Sequence, residues 1–534
     1  MRRKLAPLIL IAAGLLAYGN TFRVPFIFDD HNAIVRNSHI LSLWPPWEAM
    51  VTSPQTPVAG RPIVSLSLAI NYAISGLHPW SYHAFNLIIH ILNGLLLFGI
   101  VRRTLNRETT NNVQTNYDST ALAIALIWLV HPLLTESVTY VVQRTELLMA
   151  LFFLLTIHCV IRGRHFGAII ACTLGMAAKE VMVVVPLVVL LYDRTFMAGS
   201  FRAALRQRWQ LYAGLVATWV ILAAAITGGA RNASVGLHLH GVTPIRYALT
   251  ECGVIAHYLR LAVVPYPLAL DYDDWPIAQS VADVWPAMLL IVALLAATLW
   301  ALWRKPQWGF LGAFFFLVLA PTSSFVPVVT EVAAERRMYL PLAALVIALV
   351  LAGRCILKKP RRRMLAVVLV AAGCFVMTVG RNYDYASEIL IWGDTVKQRP
   401  TNARAQMSLG VALLQQGGVD DGLAHLREAV RLKPDYSPAH DDLGAALASQ
   451  HHTEEAIAEF REALRYDSAN AHAHYNLGLA LMQSGDLSNA VPHFNQAVRL
   501  EPGYAQAREH LASALGQMGG TNGTPGEKQG APPR

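Results

Sequence analysis

Long apolar runs separated by short polar loops dominate the first 380 residues. Runs long enough, or nearly so, to cross about 30 Å of hydrocarbon occur near 5–21, 84–101, 119–132, 145–161, 165–178, 180–193, 209–227, 285–303, 308–326, 338–353 and 364–380. The pattern predicts about eleven membrane-spanning helices. One further stretch, RYALTECGVIAHYLRLAVVPYP at 246–267, carries Glu251, His257 and Arg260 in an apolar frame. It reads either as a functional span or as a helix lying in the interface. The opening MRRKLAPLILIAAGLLAYG has the basic and apolar regions of a signal peptide without a small-x-small cleavage site after it, so an uncleaved first span is expected.

Lys and Arg accumulate in cytoplasmic loops, and that bias orients the spans. With Arg2, Arg3 and Lys4 inside, successive crossings put Arg102, Arg103, Arg162, Arg164 and the Arg194–Arg208 loop inside as well. A single crossing by 246–267 would turn Arg304, Lys305 and the block KKPRRR at 358–363 outward. An interfacial or re-entrant segment returns them inside and sends everything after Gly380 to the external face.

Beyond the last run the pattern changes to alanine-rich amphipathic helices with a period of 34 residues. Leu409-Gly410, Leu443-Gly444 and Leu477-Gly478 recur at that spacing, as do Ala405, Ala439, Ala473 and Ala507, with Pro400, Pro434, Ser468 and Pro502 at the turns. Small residues where paired helices approach closely, and proline opening the next unit, are the tetratricopeptide pattern. The expected fold is therefore all-α. Residues 1–381 form a polytopic membrane domain and 382–400 an amphipathic connector. A tetratricopeptide solenoid of three units plus a capping helix follows at 401–518, then a disordered tail at 519–534.

Composition narrows the function. Of 534 residues, 54% are hydrophobic and 14% charged, against about 25% charged in soluble domains, so lipid solvates much of the chain. The net charge of +9 comes from short basic clusters between apolar runs rather than one basic face, which argues against a nucleic-acid partner. Five cysteines in apolar or membrane-proximal segments offer neither a disulfide framework nor a Cys-based metal site. No Gly-rich phosphate loop, HExxH or CxxC is present, so nucleotide hydrolysis and zinc chemistry have no support.

Candidate chemistry begins at Asp29 and Asp30, in VPFIFDDHNAIVRN just beyond the first run. Adjacent carboxylates repel, and in a loop only one of them can point into a cavity, so one functional and one structural Asp is expected; a solvated helix cap is the plain alternative. His131, Glu136, Arg144 and Glu146, then Lys179 and Glu180, then Glu335, Arg336 and Arg337 lie beside apolar segments on the same expected face. Each pair alone reads as a structural ion pair or a snorkelling anchor. Together on one face they read as a cavity holding acid and base functions. Arg and Lys there can hold a lipid-linked phosphate while a carboxylate removes a proton from an acceptor hydroxyl. His83 and His90 read as structural.

Taken in order, FDDHNAIVRN, RPIVSLSLAINYAISGLHPWSYHAFNLIIHILN, HPLLTESVTYVVQRTELL, AKE with LYD, YPLALDYD and ERRMYLP ahead of C-terminal repeats, the chain resembles the transmembrane and tetratricopeptide repeat-containing O-mannosyltransferase family, of the GT-C class. The likeness covers roughly residues 22–515. It implies inverting transfer of a sugar from a polyprenyl-phosphate donor to protein hydroxyls on the non-cytoplasmic face. Asp29 and Asp30 match the family's acidic pair, with Asp29 as base. Arg61, His131, Glu136, Arg144, Glu146, Lys179, Glu180, Glu335 and Arg336 become candidate donor or structural contacts. Leu134 and Val181 depart from the family's usual residues. No metal or cofactor is assigned, the need for a divalent ion stays open, and the repeats are expected to recruit acceptor or partner protein.

Two other readings fit the residues: a non-catalytic membrane anchor whose repeats organise an envelope complex, and a lipid or glycan transporter, which charges gathered at one face disfavour. A bacterial inner membrane with periplasmic repeats is the expected location.

Overall fold

Each of the eleven apolar windows falls on a helix, but the helices are more often broken than the windows. The computed structural model describes residues 2–51, 56–107, 117–227, 242–328 and 331–521. It is all-α, with no β-strand among the described residues, and it divides into units Met1–Asp394 and Thr395–Arg534. Most of the expected tail lies outside the described residues; 519–521 close the last helix, Ala505–Thr521.

Trp80–Arg107, Val141–Ile161, Val281–Arg304 and Pro360–Asp384 are each long and apolar enough to cross a membrane. Asp118–Leu129 and Pro132–Thr139, bent by 55°, make a fifth if taken as one span. Leu5–Tyr18, Pro62–Ser75, His165–Met176, Pro306–Leu319 and Pro341–Ile356 are apolar but shorter. The protein is an integral membrane protein.

The breaks have local causes. Pro132 disfavours a helical residue before it, so the run 119–132 stops at Leu129; the His131 ring then accepts the N–H of Leu133 and starts a new turn. Arg208 leaves helical geometry and kinks Phe201–Ala217. Pro62–Ser75 lies in what the sequence presents as an external loop; Ser65, Ser67 and Asn71 are buried along it. The 246–267 stretch is one 20-residue helix, Pro244–Val263, that buries Tyr247, Thr250, Glu251, Val254, Tyr258 and Leu261 at helical spacing. It is not among the long apolar helices.

The core of the membrane unit combines close helix approach with satisfied polar groups, as bundles in lipid require. A methyl at Gly94 would stand 2.8 Å from the Leu129 side chain, and one at Gly14 2.7 Å from Ile91. Between these helices the His90 ring reaches the Tyr339 hydroxyl at 2.7 Å and the Leu129 carbonyl at 2.9 Å. Asn93 donates to Leu147 O and to Tyr339, and Trp128 donates to Tyr339 O. His90 is thus a structural histidine, and His83, bonded to Val24 O, is another.

In the second unit, helices Ala403–Gln415, Ser437–Ser449, Ala471–Gln483 and Ala505–Thr521 begin 34 residues apart, and Val419–Leu432, Thr453–Tyr466 and Leu487–Leu500 pair with the first three. The recurring glycines are contact points: a methyl at Gly444 would meet Phe460 at 2.8 Å, and one at Gly478 would meet Phe494 at 2.8 Å. Asn402 and Asn470 accept N–H groups at their helix starts.

Candidate active site

The segment after the first helix turns sharply at Phe28, whose φ of +46° lies in the left-handed region that bulky residues rarely adopt. A backbone held there needs external bonds to persist. They are present. Glu388 accepts the Phe28 N–H at 3.1 Å and reaches the His31 ring at 3.2 Å, and the Phe28 ring packs edge-on against Trp392 at 5.1 Å.

This turn separates the two carboxylates. Asp30 is wholly buried: Oδ1 accepts the Val142 N–H at 2.7 Å and Oδ2 the Ile27 N–H at 3.2 Å. Burial pushes its carboxyl up to about 7, against those two bonds and with the Asp29 charge adding to the rise. Asp29 is half-buried, and its own N–H donates to the Tyr140 hydroxyl at 2.9 Å. With both Asp30 oxygens accepting backbone N–H groups, that residue suits anchoring a loop and not gripping a cation.

Six of the remaining candidates form ion pairs at this end of the membrane unit. Glu136 takes both the backbone N–H and the guanidinium of Arg336, which also pairs with Glu331. Glu146 pairs with Lys179, and Arg61 lies 3.5 Å from Glu180. Glu335 accepts from Ala269 N at 2.6 Å and the Tyr272 hydroxyl at 2.7 Å, and burial pushes its carboxyl up to about 8 against the pull of Arg381. Arg337 faces Glu251 at 3.6 Å. These groups share one electrostatic neighbourhood: Tyr140 senses Asp29, Asp30 and Arg336, and Arg336 senses Glu146.

Two candidates hold the fold together instead. Arg144 is fully buried, donating to Asn86 Oδ1, Ser67 O and Tyr82 O with the Phe85 ring against its face, so its fork already has protein acceptors. His131 joins Leu133 N to Ala262 O through its two ring nitrogens.

Sequence reasoning missed Glu388, His31, Tyr140 and Arg381. Arg381 is 7% exposed; Nη1 bonds Asp384 at 3.0 Å and Asp394 at 2.6 Å, while Nε and Nη2 are buried without a hydrogen-bond partner. The hydroxyl of neighbouring Tyr385 is likewise buried and unpartnered. Buried guanidinium donors left unmet are strongly unfavourable, and an anion resolves them. Arg381 ends the last apolar run and so reads in the sequence as a boundary marker. Among the described residues, no three His, Cys, Asp or Glu side chains are arranged around a common metal position.

A tetratricopeptide repeat family model matches residues 391–437, 442–505 and 476–516. Protein O-mannosyl-transferase TMTC2 of Mus musculus is 31% identical over 166 residues, covering 30% of this chain and 19% of that protein. Protein O-mannosyl-transferase TMTC4 of Homo sapiens is 25% identical over 480 residues, covering 77% of this chain and 64% of that protein. The chain therefore spans less than two thirds of the length of these relatives. Among solved structures, the crystal structure of MamA is 24% identical with a TM-score of 0.24, over 26% of this chain and 80% of that one. A thermophilic tetratricopeptide repeat protein of Thermus thermophilus is 21% identical with a TM-score of 0.23, over 32% of this chain and 89% of that one. A likeness covering 77% of the chain extends well beyond the unit Thr395–Arg534 into the membrane helices. By that likeness and by its repeats, the chain is similar to the protein O-mannosyl-transferases TMTC2 and TMTC4.

Proposed function

We propose that the protein is a membrane glycosyltransferase that moves a mannose-like sugar from a polyprenyl-phosphate donor to hydroxyl groups of acceptor protein on the non-cytoplasmic face. The relatives named as protein O-mannosyl-transferases support the reaction class. The observation that carries the assignment of roles is the division of labour between the carboxylates: Asp30 engaged by two backbone N–H groups, Asp29 half-buried beside it.

In this reading the Asp29 carboxylate takes the proton of a Ser or Thr hydroxyl as its oxygen attacks the anomeric carbon. The bond from that carbon to the phosphate oxygen breaks, its electron pair leaves with the polyprenyl phosphate, and attack from the opposite side inverts the configuration. Negative charge grows on the leaving phosphate, where preorganised donors act most strongly. Arg381 has two donors to offer there, whereas Arg336 is already held between Glu136 and Glu331. The repeats present a concave helical surface of the kind that binds extended peptide, and they gather the acceptor.

The test is transfer of labelled mannose from polyprenyl-phosphate mannose to protein in membranes carrying wild type or Asp29→Asn at equal, folded levels. Loss of transfer in the variant is expected. Absence of transfer by the wild type with any polyprenyl-phosphate sugar, together with full cellular function of Asp29→Asn, would replace this reading with the repeat-scaffold one.

A further inference from the structure

Helix Trp80–Arg107 is about 40 Å long at roughly 1.5 Å per residue, and helix Arg144–Ile161 lies alongside it. Near their starts they carry Asn86 and Arg144, bonded to each other near the acidic loop. Their far ends surround a cavity of about 380 Å³ lined by Arg102, Arg103, Arg107 and Arg162, with Asn106 and Asp118.

Among the described residues, four guanidinium groups from two chain segments thus face one space with one lining carboxylate, Asp118, 3.8 Å from Arg102. The positions are set by the protein: Arg103 bonds Gly99 O at 3.2 Å, Arg107 bonds Ile161 O at 3.4 Å, and Arg102 lies over the Phe98 ring. Arg103 is within electrostatic range of both Arg102 and Arg162, a like-charge arrangement that an anion relieves. Topology alone asks only that basic residues lie in the loop. It does not ask that four of them line a cavity within the usual range of ligand pockets, roughly 300–1,000 Å³.

We propose that this cavity is a binding site for the phosphate headgroup of an anionic phospholipid, held at the membrane surface opposite the acidic loop. A planar guanidinium binds phosphate oxygens bidentately, and basic pockets between helix ends are suited to anionic headgroups. A lipid tethered by its own chains also meets the cavity where helix ends reach the headgroup layer.

The test uses the full chain in nanodiscs of phosphatidylcholine alone or with added phosphatidylglycerol, read by thermal unfolding and by lipid retained in native mass spectrometry. Phosphatidylglycerol is expected to raise the melting temperature and to remain bound. The double variant Arg103→Gln with Arg162→Gln is expected to weaken it on the order of thirtyfold, while Arg361→Gln with Arg362→Gln, outside the cavity, leaves it unchanged. If the double variant does not fold, Arg162→Lys, which keeps the charge and loses the fork, is expected to show a smaller loss. No response of the wild type to phosphatidylglycerol, or equal loss in the 361/362 variant, would overturn the proposal. Stabilisation by inorganic phosphate in phosphatidylcholine discs without a response to phosphatidylglycerol would overturn the lipid assignment.

Discussion

Asp30 accepts the backbone N–H of Val142 at 2.7 Å across 112 positions of sequence, tying the loop after the first helix to the start of the helix that carries Arg144 and Glu146. Its second oxygen takes the Ile27 N–H. An Asn side chain has one acceptor oxygen and would turn an NH₂ group toward one of these donors. Asp30→Asn is therefore expected to destabilise the protein by about 1–3 kcal/mol, whereas Asp29→Asn is expected to cost less stability and to abolish transfer. Thermal unfolding of the two variants in one detergent separates them, and an equal loss of stability in both would refute the division of roles.

The same carboxyl predicts a pH dependence. Burial raises Asp30 from its ordinary 3.8 to about 7, so its contribution to stability is fully present below about pH 4 and is lost as pH rises through about 7. Unfolding temperatures of the wild type are expected to fall over that window, and Asp30→Asn to remove that part of the slope.

How much of this was legible in the sequence depended on whether the signal was periodic. Leu-Gly pairs at period 34 mark places where a second helix touches the first, as Gly444 on Phe460 does, so the repeats were readable from spacing alone. The apolar windows located helices but not all their breaks, because Pro132 interrupts a helix without interrupting hydrophobicity. Pro62–Ser75 was missed because a 14-residue run with buried Ser65, Ser67 and Asn71 is too short and polar to read as a span. Glu388 and His31 lie 357 positions apart, and no local pattern links them. Arg381 resembled any arginine at the end of a span; only its two unmet buried donors distinguish it.

Those donors lead to a kinetic prediction. Arg381→Lys keeps the charge opposite Asp384 and Asp394 but loses the planar fork. The variant is expected to fold and to lose about tenfold to a hundredfold in kcat/KM for the polyprenyl-phosphate donor, with the KM for acceptor peptide unchanged. An unaltered donor KM and kcat would make Arg381 a purely structural residue.

The bond between Glu388 and His31 supports the Phe28 turn, and it has its own pH window. Hydrogen bonding to Glu388 raises His31 above 6.5, so that contribution is present below 6.5 and lost as pH rises through the raised value. Against the upward push of burial, His31 and the Phe28 N–H hold Glu388 below 4.5, so its contribution is present above 4.5 and lost as pH falls through the lowered value. Both are complete between these limits. Glu388→Ala is expected to lose about 1–2 kcal/mol and to reduce transfer with Asp29 intact, and proteolysis within 24–36 is expected to quicken. Unchanged cleavage there would dissociate Glu388 from the loop.

One slot in the repeats carries a different polar pair in each unit, and acidification should pull these pairs in opposite directions. Positions 406 and 425, 440 and 459, and 474 and 493 are related by 34 residues and hold Gln406–His425 at 2.7 Å, His440–Glu459 at 2.6 Å and His474–His493 at 3.0 Å. His440 Nε2 faces the Pro434 carbonyl and Nδ1 faces Glu459, two acceptors that both want a proton, so the pair raises His440 above 6.5; its stability is present below 6.5 and lost as pH rises through the raised value. His474 Nε2 likewise faces the Ser468 carbonyl, leaving Nδ1 to accept from His493, and a further proton would set two N–H groups against each other. Burial lowers both rings of that pair, so their stability is present above 6.5 and lost as pH falls through the lowered values. Hydrogen exchange of the full chain between about pH 7.5 and pH 5.5, corrected for intrinsic rates, is expected to show protection falling in 471–500 and holding or rising in 437–466. His493→Glu copies the second repeat's pair into the third and should reverse the sign there, by about 1 kcal/mol; a third repeat that still loosens on acidification would place the sensitivity elsewhere.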